Sequence, residues 1–270
     1  MFKTRIITAA LLLLLFLAAL FYLPDYGWIA LNLLITAAAA WEWGQLGKLQ
    51  PVWLFVSMVS VVCAALVYVA QGLGDFDLML YALALMFWLI AAPFWLIYQW
   101  RAGKFWFTAC GLLVLASTCL ALVQLRESGA GLLLWLLSVV WVADSAAFFC
   151  GKKFGKRKLV PAISPGKTWE GVWGAVLAVT LYALAIAAAS ENHGIIVLGK
   201  PLPWYGILLA HWVITLLSIV GDLFESLLKR QAGVKDSGTL LPGHGGVLDR
   251  VDGLTSSLPV MAFFIFALFK

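Results

Sequence analysis

The sequence predicts an all-α polytopic membrane protein of about nine transmembrane helices, with the N-terminus in the cytoplasm and the C-terminus on the opposite side. Three observations carry that expectation. Hydrophobic residues make up 64% of the 270 and charged residues only 11%, far from the soluble norm of about 45–50% apolar and 25% charged. The apolar residues gather in runs of about 20, enough to cross roughly 30 Å of hydrocarbon as a helix. The basic residues fall on alternate connections, as the positive-inside rule requires. A soluble enzyme is excluded, and the net charge of +5 reads as cytoplasmic-loop excess rather than a nucleic-acid surface.

Nine runs are separated by short polar or turn-forming stretches: 6–23, 28–43, 53–70, 78–98, 105–123, 131–150, 169–189, 204–220 and 254–269. They are continuously apolar and flanked by Trp and Tyr, which fits helices and not the alternating strands of a barrel. The first run follows Lys3 and Arg5, exceeds a signal-peptide h-region of about 7–15 residues and lacks an A-x-A site, so it is a span and not a cleaved leader. The last run reaches only about 24 Å as a helix and must borrow a turn from the segment before it, or sit in thinned bilayer.

With nine spans, Lys3, Arg5, Lys48, Arg101, Lys104, Lys152, Lys153, Lys156, Arg157, Lys158, Lys167, Lys229, Arg230, Lys235 and Arg250 share one side, leaving only Arg126, Lys200 and Lys270 on the other. An error of one span would destroy this asymmetry. Cys63, Cys110, Cys119 and Cys150 are scattered through apolar runs and read as small core hydrophobes. No internal repeat stands out. Residues 1–130 read as scaffold, lipid-facing or dimer-forming helices, and 131–270 as the catalytic half, with two long cytoplasmic loops at 151–168 and 223–253.

The acids divide between the two sides. Asp25, Asp75, Asp77, Glu127 and Glu191 read as solvated charges of the outer loops, whereas Glu42, Asp144, Glu170, Asp222, Glu225, Asp236, Asp249 and Asp252 fall at or near cytoplasmic span ends. Asp144 lies about 9 Å inside its span, where a carboxylate must face the bundle interior and have a partner. Asp222 and Glu225 are spaced i, i+3, with Ser226 and Lys229 on the same helical face. Asp249 and Asp252 repeat the spacing before the last run. Such acids converging on one membrane face call for a cation, and Mg²⁺ bound through one or two carboxylates and substrate phosphates is the natural one.

Lys229, Arg230, Lys235 and Arg250 are interleaved with these acids and suit phosphate. Pro242-Gly243-His244-Gly245-Gly246 cannot continue a helix and can bring backbone N–H groups close to an anion; His244 is either a plain loop residue or a phosphate or metal contact. Ser164-Pro-Gly-Lys-Thr-Trp-Glu170 opens the seventh span, with Pro165 and Gly166 at a turn, Thr168 as a cap and Glu170 in the first turn. Lys167 beside that helix start marks an anion site, although the spacing is not that of a Walker loop.

These residues also carry a resemblance. The segment 226–252, SLLKRQAGVKDSGTLLPGHGGVLDRVD, resembles the signature of the phosphatidate cytidylyltransferase family: S-x-x-K-R, four residues, K-D, then P-G-H-G-G-x-x-D-R-x-D. Upstream, Asp144-Ser-Ala-Ala-Phe148, Phe154-Gly-Lys156 and Ile163-Ser-Pro-Gly-Lys-Thr-Trp-Glu-Gly171 are similar to further family motifs, in the expected order. Phe148 stands where an aromatic, often Tyr, is usual. The resemblance implies a bacterial inner-membrane enzyme, a homodimer, that joins CTP and phosphatidate into CDP-diacylglycerol and pyrophosphate at a cytoplasmic mouth, with Mg²⁺ as cofactor.

On this reading Asp144, Asp222 and Asp249 hold one or two divalent ions, with room for a monovalent cation, and Asp252, Glu225 and Asp236 are alternative ligands or partners of ligands. Asp222, Asp249, Asp144, Lys229 and Arg250 form the catalytic set. Lys167, Arg230 and Lys235, together with Lys229 and Arg250, hold phosphates; Gly243, His244, Gly245 and Gly246 contact the triphosphate; Ser164, Glu170, Ser226, Asp236 and Asp252 complete the substrate site. Two other readings share these features: a CTP-dependent polyprenol or phytol kinase, and a cation or proton transporter built on Asp144.

Overall fold

The computed structural model describes residues 2–50, 76–189, 195–240 and 245–269. The expected third span, with Cys63 and Asp75, lies outside the described residues, as do Glu191, Pro242, Gly243 and His244. The described helices are α1 (Phe2–Tyr22), α2 (Asp25–Leu46), α3 (Phe76–Tyr98), α4 (Lys104–Ser128), α5 (Ala130–Phe154), α6 (Trp169–Ala189), α7 (Trp204–Ala232) and α8 (Leu248–Phe269). Six of them, α3 to α8, are long and apolar enough to cross a membrane, and α1 and α2 coincide with the first two apolar runs. The chain is a multi-pass membrane protein.

Two antiparallel hairpins amend the all-α expectation. Strands β1 (Lys158–Val160) and β2 (Ser164–Thr168) join α5 to α6, and β3 (Ile196–Val197) and β4 (Lys200–Pro201) precede α7. Lys158 pairs with Thr168 and Val160 with Ser164, so Pro165 and Gly166 lie within a strand and not at a turn. Two helices outrun their apolar stretches. α7 has 29 residues, about 44 Å, and ends on Gly233 in the left-handed region at φ 81°. α8 begins at Leu248 and reaches 22 residues, about 33 Å; it borrows its first turns from the polar signature.

Prolines interrupt the hydrogen-bond ladder of two helices. Pro93 supplies no N–H, and α3 widens into a π-turn at Phe87–Ala91 just ahead of it. In α8, Pro259 leaves the Thr255 carbonyl without its i+4 donor, and the Thr118 hydroxyl lies 3.4 Å from that oxygen.

Small residues set how closely the helices approach. A Cβ on Gly221 of α7 would lie 2.5 Å from the Asp252 carbonyl and the Ser256 hydroxyl of α8, and one on Gly253 would meet Ser218 at 3.1 Å. A Cβ on Gly171 of α6 would sit 2.8 Å from the Ala147 carbonyl of α5. In lipid, where hydrophobicity does not drive helices together, such seams allow the backbone contact that does. Behind the α7 seam, Phe224 packs edge-on against Trp95, Trp88 and Phe87, with ring centroids 5.2 to 5.5 Å away, anchoring the helix next to its acids.

At the other end of the bundle two acids expected to be plain loop charges have structural partners. Asp77 is 7% exposed and accepts from the Gln124 amide at 2.9 Å, whose oxygen accepts from Tyr81. Asp25 pairs at 3.0 Å with Arg126, a nearly buried side chain that also donates to the carbonyls of Leu20 and Leu23. Replacing Arg126 with Met leaves those carbonyls and a polar pocket unserved, so thermal stability in detergent should fall by roughly 2–4 kcal/mol. Asp25→Ala, at a side chain 79% exposed, should cost at most about 1 kcal/mol.

Candidate active site

Three structural pieces meet around one cavity of about 700 Å³. The second half of α5 brings Asp144, the β1–β2 hairpin brings Ser164 and Lys167, and the α7–α8 crossing brings Asp222, Asp249 and Asp252. The glycine seams explain the convergence: Asp222 follows Gly221 and Asp252 precedes Gly253, so the closest approach of the two helices sets both acids at its edge. Asp252 feels the charges of Asp222, Glu225 and Asp144, and Asp144 those of Asp222 and Lys167. Phe148, Gly151, Lys152 and Lys158 also border the cavity.

Lysines offset this density of acid. Lys167 reaches Asp222 at 2.6 Å. Lys229 bridges Glu225 of its own helix at 2.7 Å and Asp249 of α8 at 2.5 Å. Lys167 belongs to β2 and so stands beside the α6 start, not on it; its ammonium serves a carboxylate. Thr168 does cap α6, its hydroxyl accepting from Gly171 N–H at 3.2 Å. Glu170 turns away from the cavity and accepts from the N–H groups of Lys156 and Arg157 at 3.1 to 3.2 Å, tying the α5 exit to α6.

Other expected site residues are spread around this centre. Ser226 donates to Asp222 at 3.3 Å. Arg230 donates to the carbonyls of Ile163 and Val234 at 3.3 Å, joining the hairpin to the loop after α7. Lys235 and Asp236 line a separate recess of about 430 Å³ with Trp41, Glu42 and Gln45, and Arg250 is exposed. Gly246 donates its N–H to Asp249 at 2.8 Å, and Gly245 takes φ 82°, a left-handed conformation that glycine adopts without steric cost.

Asp249 and Asp252 border the same cavity but differ in their partners. Asp249 has both oxygens engaged: Oδ1 by Lys229, and Oδ2 by the N–H groups of Ser237 and Gly246 and the Ser237 hydroxyl at 2.8 to 2.9 Å. Asp252 uses one oxygen locally, accepting from Gly253 N–H. Among the described residues no three or more His, Cys, Asp or Glu side chains are arranged to ligate one ion, so Asp144, Asp222 and Asp249 are not a preformed cage. The all-oxygen donors bordering the cavity do fit a hard divalent cation that takes one or two carboxylates and fills its shell from phosphates and water.

Two residues escaped the sequence reading as members of the site. The sequence puts Glu42 only near a span end; it is 1% exposed and accepts from Ser237, Val247 N–H and Leu248 N–H. Ser237, 6% exposed, touches both Glu42 and Asp249. A carboxylate between Trp41 and Trp43 at the end of an apolar run was the one signal available, since its partners lie 195 to 206 residues away.

A cavity ringed by carboxylates and lysines at one end of a helical bundle is suited to a transferase of charged, phosphate-bearing groups in the membrane. The cytidylyltransferase family model matches residues 3–268. The phosphatidate cytidylyltransferase of Pseudomonas aeruginosa is 38% identical, covering 99% of this chain and 98% of its own. Its namesake in Haemophilus influenzae is 36% identical over 98% and 99% of the two chains, and that of Bacillus subtilis 31% identical over 99% and 98%. The chain belongs to the cytidylyltransferase family and, with it, to the nucleotidyltransferase enzymes.

Asp249→Asn strips Lys229 of one counter-charge and points an amide N–H₂ toward backbone donors. Nucleotidyl transfer should fall by on the order of 100-fold or more while the protein still inserts and folds, as read by activity per mole of monodisperse protein. Lys48→Ala, remote from this cavity, should leave the rate close to that of the unchanged chain.

Proposed function

We propose that the chain is a phosphatidate cytidylyltransferase, making CDP-diacylglycerol and pyrophosphate from CTP and phosphatidate. The observation that carries the proposal is the single cavity bordered by Asp144, Lys167, Asp222, Asp249 and Asp252, in a chain that matches relatives of that name along its length. Both substrates are polyanions, and a lipid phosphate oxygen, already ionised, attacks the α-phosphorus of CTP in line. The bond from that phosphorus to the bridging oxygen breaks, and pyrophosphate leaves with the electron pair. No covalent enzyme intermediate is required.

The protein's work is then positioning and electrostatics. Lys167 lies on a strand at the cavity wall, where it can exchange Asp222 for a phosphate as substrates enter. Lys152 and Lys158 add positive charge at the rim next to Phe148, the apolar edge from which a lipid headgroup would arrive. Lys229 offsets part of the charge of Glu225 and Asp249, which lowers the repulsion that an anion would meet at the loop before α8. A divalent cation would be held by Asp222 and Asp144, with Asp252 in reach, and would neutralise charge on the triphosphate. The bias of basic residues supports a cytoplasmic mouth, in the inner membrane of a bacterium.

The test is purified protein with phosphatidate, Mg²⁺ and CTP labelled at either end of the triphosphate. Label at the α-phosphorus should enter the lipid and label at the γ-phosphorus should leave as pyrophosphate; γ label in the lipid would make the chain a kinase and end the proposal. Chelation of divalent cations should stop the reaction, and Mg²⁺ should restore it.

A further inference from the structure

We propose that Glu42 is a positioning residue for the catalytic loop: a carboxylate from the first half of the chain that caps the start of α8 from across the bundle and, through the Ser237 hydroxyl, sets the direction of Asp249. The inference rests on the reaction proposed above and deepens it.

The start of α8 lacks a local cap. Val247 occupies the position before Leu248, where Ser, Thr, Asp or Asn would ordinarily accept from the first N–H groups of the helix. Those N–H groups are buried with the helix start and need acceptors. Glu42 supplies them: Oε1 accepts from Val247 N–H at 3.0 Å and Oε2 from Leu248 N–H at 2.8 Å. Its negative charge also lies at the positive end of the helix dipole. The carboxylate fills the space beside Gly238 and Gly246, since a Cβ at either would collide with it.

The link to chemistry passes through Ser237. Its one hydroxyl proton is shared between Glu42 at 3.0 Å and Asp249 at 2.9 Å, while its oxygen accepts from Asp249 N–H at 3.3 Å. The N–H groups of Ser237 and Gly246 hold the same Asp249 oxygen, and both residues pack on Glu42. Loss of the Glu42 charge therefore loosens every protein contact of Asp249 except Lys229.

Glu42→Gln places an amide donor against backbone donors with almost no change of size. In detergent, Glu42→Gln should lower kcat by about 10- to 100-fold with KM for phosphatidate unchanged, and Glu42→Asp should recover part of the loss. Ser237→Ala should lower kcat by about 10-fold, and the double variant should lose less than the product of the single losses, because both act on one link. Tryptic cleavage after Lys235 and Arg250, both exposed, should quicken in Glu42→Gln. Unchanged kcat in folded Glu42→Gln, or losses that simply multiply, would overturn the proposal. Should Glu42→Gln fail to insert, Ser237→Ala decides: full kcat there overturns it. Should the unchanged chain make no CDP-lipid at all, the reaction is wrong, and cleavage alone then judges Glu42, with equal rates counting against it.

Discussion

Lys229 reaches Glu225 on its own helix and Asp249 on the next from a side chain only 12% exposed, and the end of the bundle is ordered around that bridge. Carboxylates gathered in apolar surroundings repel one another and lose hydration, a cost that grows as the local dielectric falls. One ammonium between two acids offsets both effects and ties α7 to α8. Removing it would leave two poorly solvated negative charges facing each other, and for that reason the bridge limits what the neighbouring residues can do. Lys167 repeats the device at Asp222 from the hairpin. With the two lysines engaged by Asp222, Glu225 and Asp249, Asp144 and Asp252 border the same cavity as further oxygen donors.

Close backbone approach makes this density of charge possible. Gly221 and Gly253 bring α7 and α8 together where Asp222 and Asp252 sit, and Gly171 lets α6 lie against α5 near Asp144. Larger side chains would separate the helices by the width of a methyl group or more and dilute the acids. The aromatic packing of Phe224 against Trp88 and Trp95 then fixes α7 from behind. Geometry and electrostatics are thus set by different residues at neighbouring positions, with small ones fixing distance and charged ones fixing potential.

Much of the architecture was legible in the chain because the bilayer imposes a strong period. Among the described residues the apolar runs became helices, α7 and α8 reaching well beyond theirs, and Ser226 and Lys229 do contact Asp222 and Glu225 as the i, i+4 spacing from each implies. The hairpin holding Ser164 and Lys167 was not legible: Pro165 and Gly166 are turn residues by habit, and only pairing with 158–160 makes their segment a strand. Asp77 reads as a loop acid because its side-chain partner, Gln124, comes from another helix, 47 residues away. The different settings of Asp249 and Asp252 were equally hidden, since spacing says which residues share a face but not which donors wait opposite.

By itself the sequence determined a helical membrane protein, most of its apolar helices and the family, because hydrophobic length and residue chemistry are local properties. Only the tertiary structure decided that Lys229 meets Asp249 and Lys167 meets Asp222, that Asp249 is enclosed by donors while Asp252 has a local N–H partner, and that a glutamate near position 40 completes a helix start near position 248. Those outcomes depend on distances between segments far apart in the chain, and such distances arise only when the helices pack.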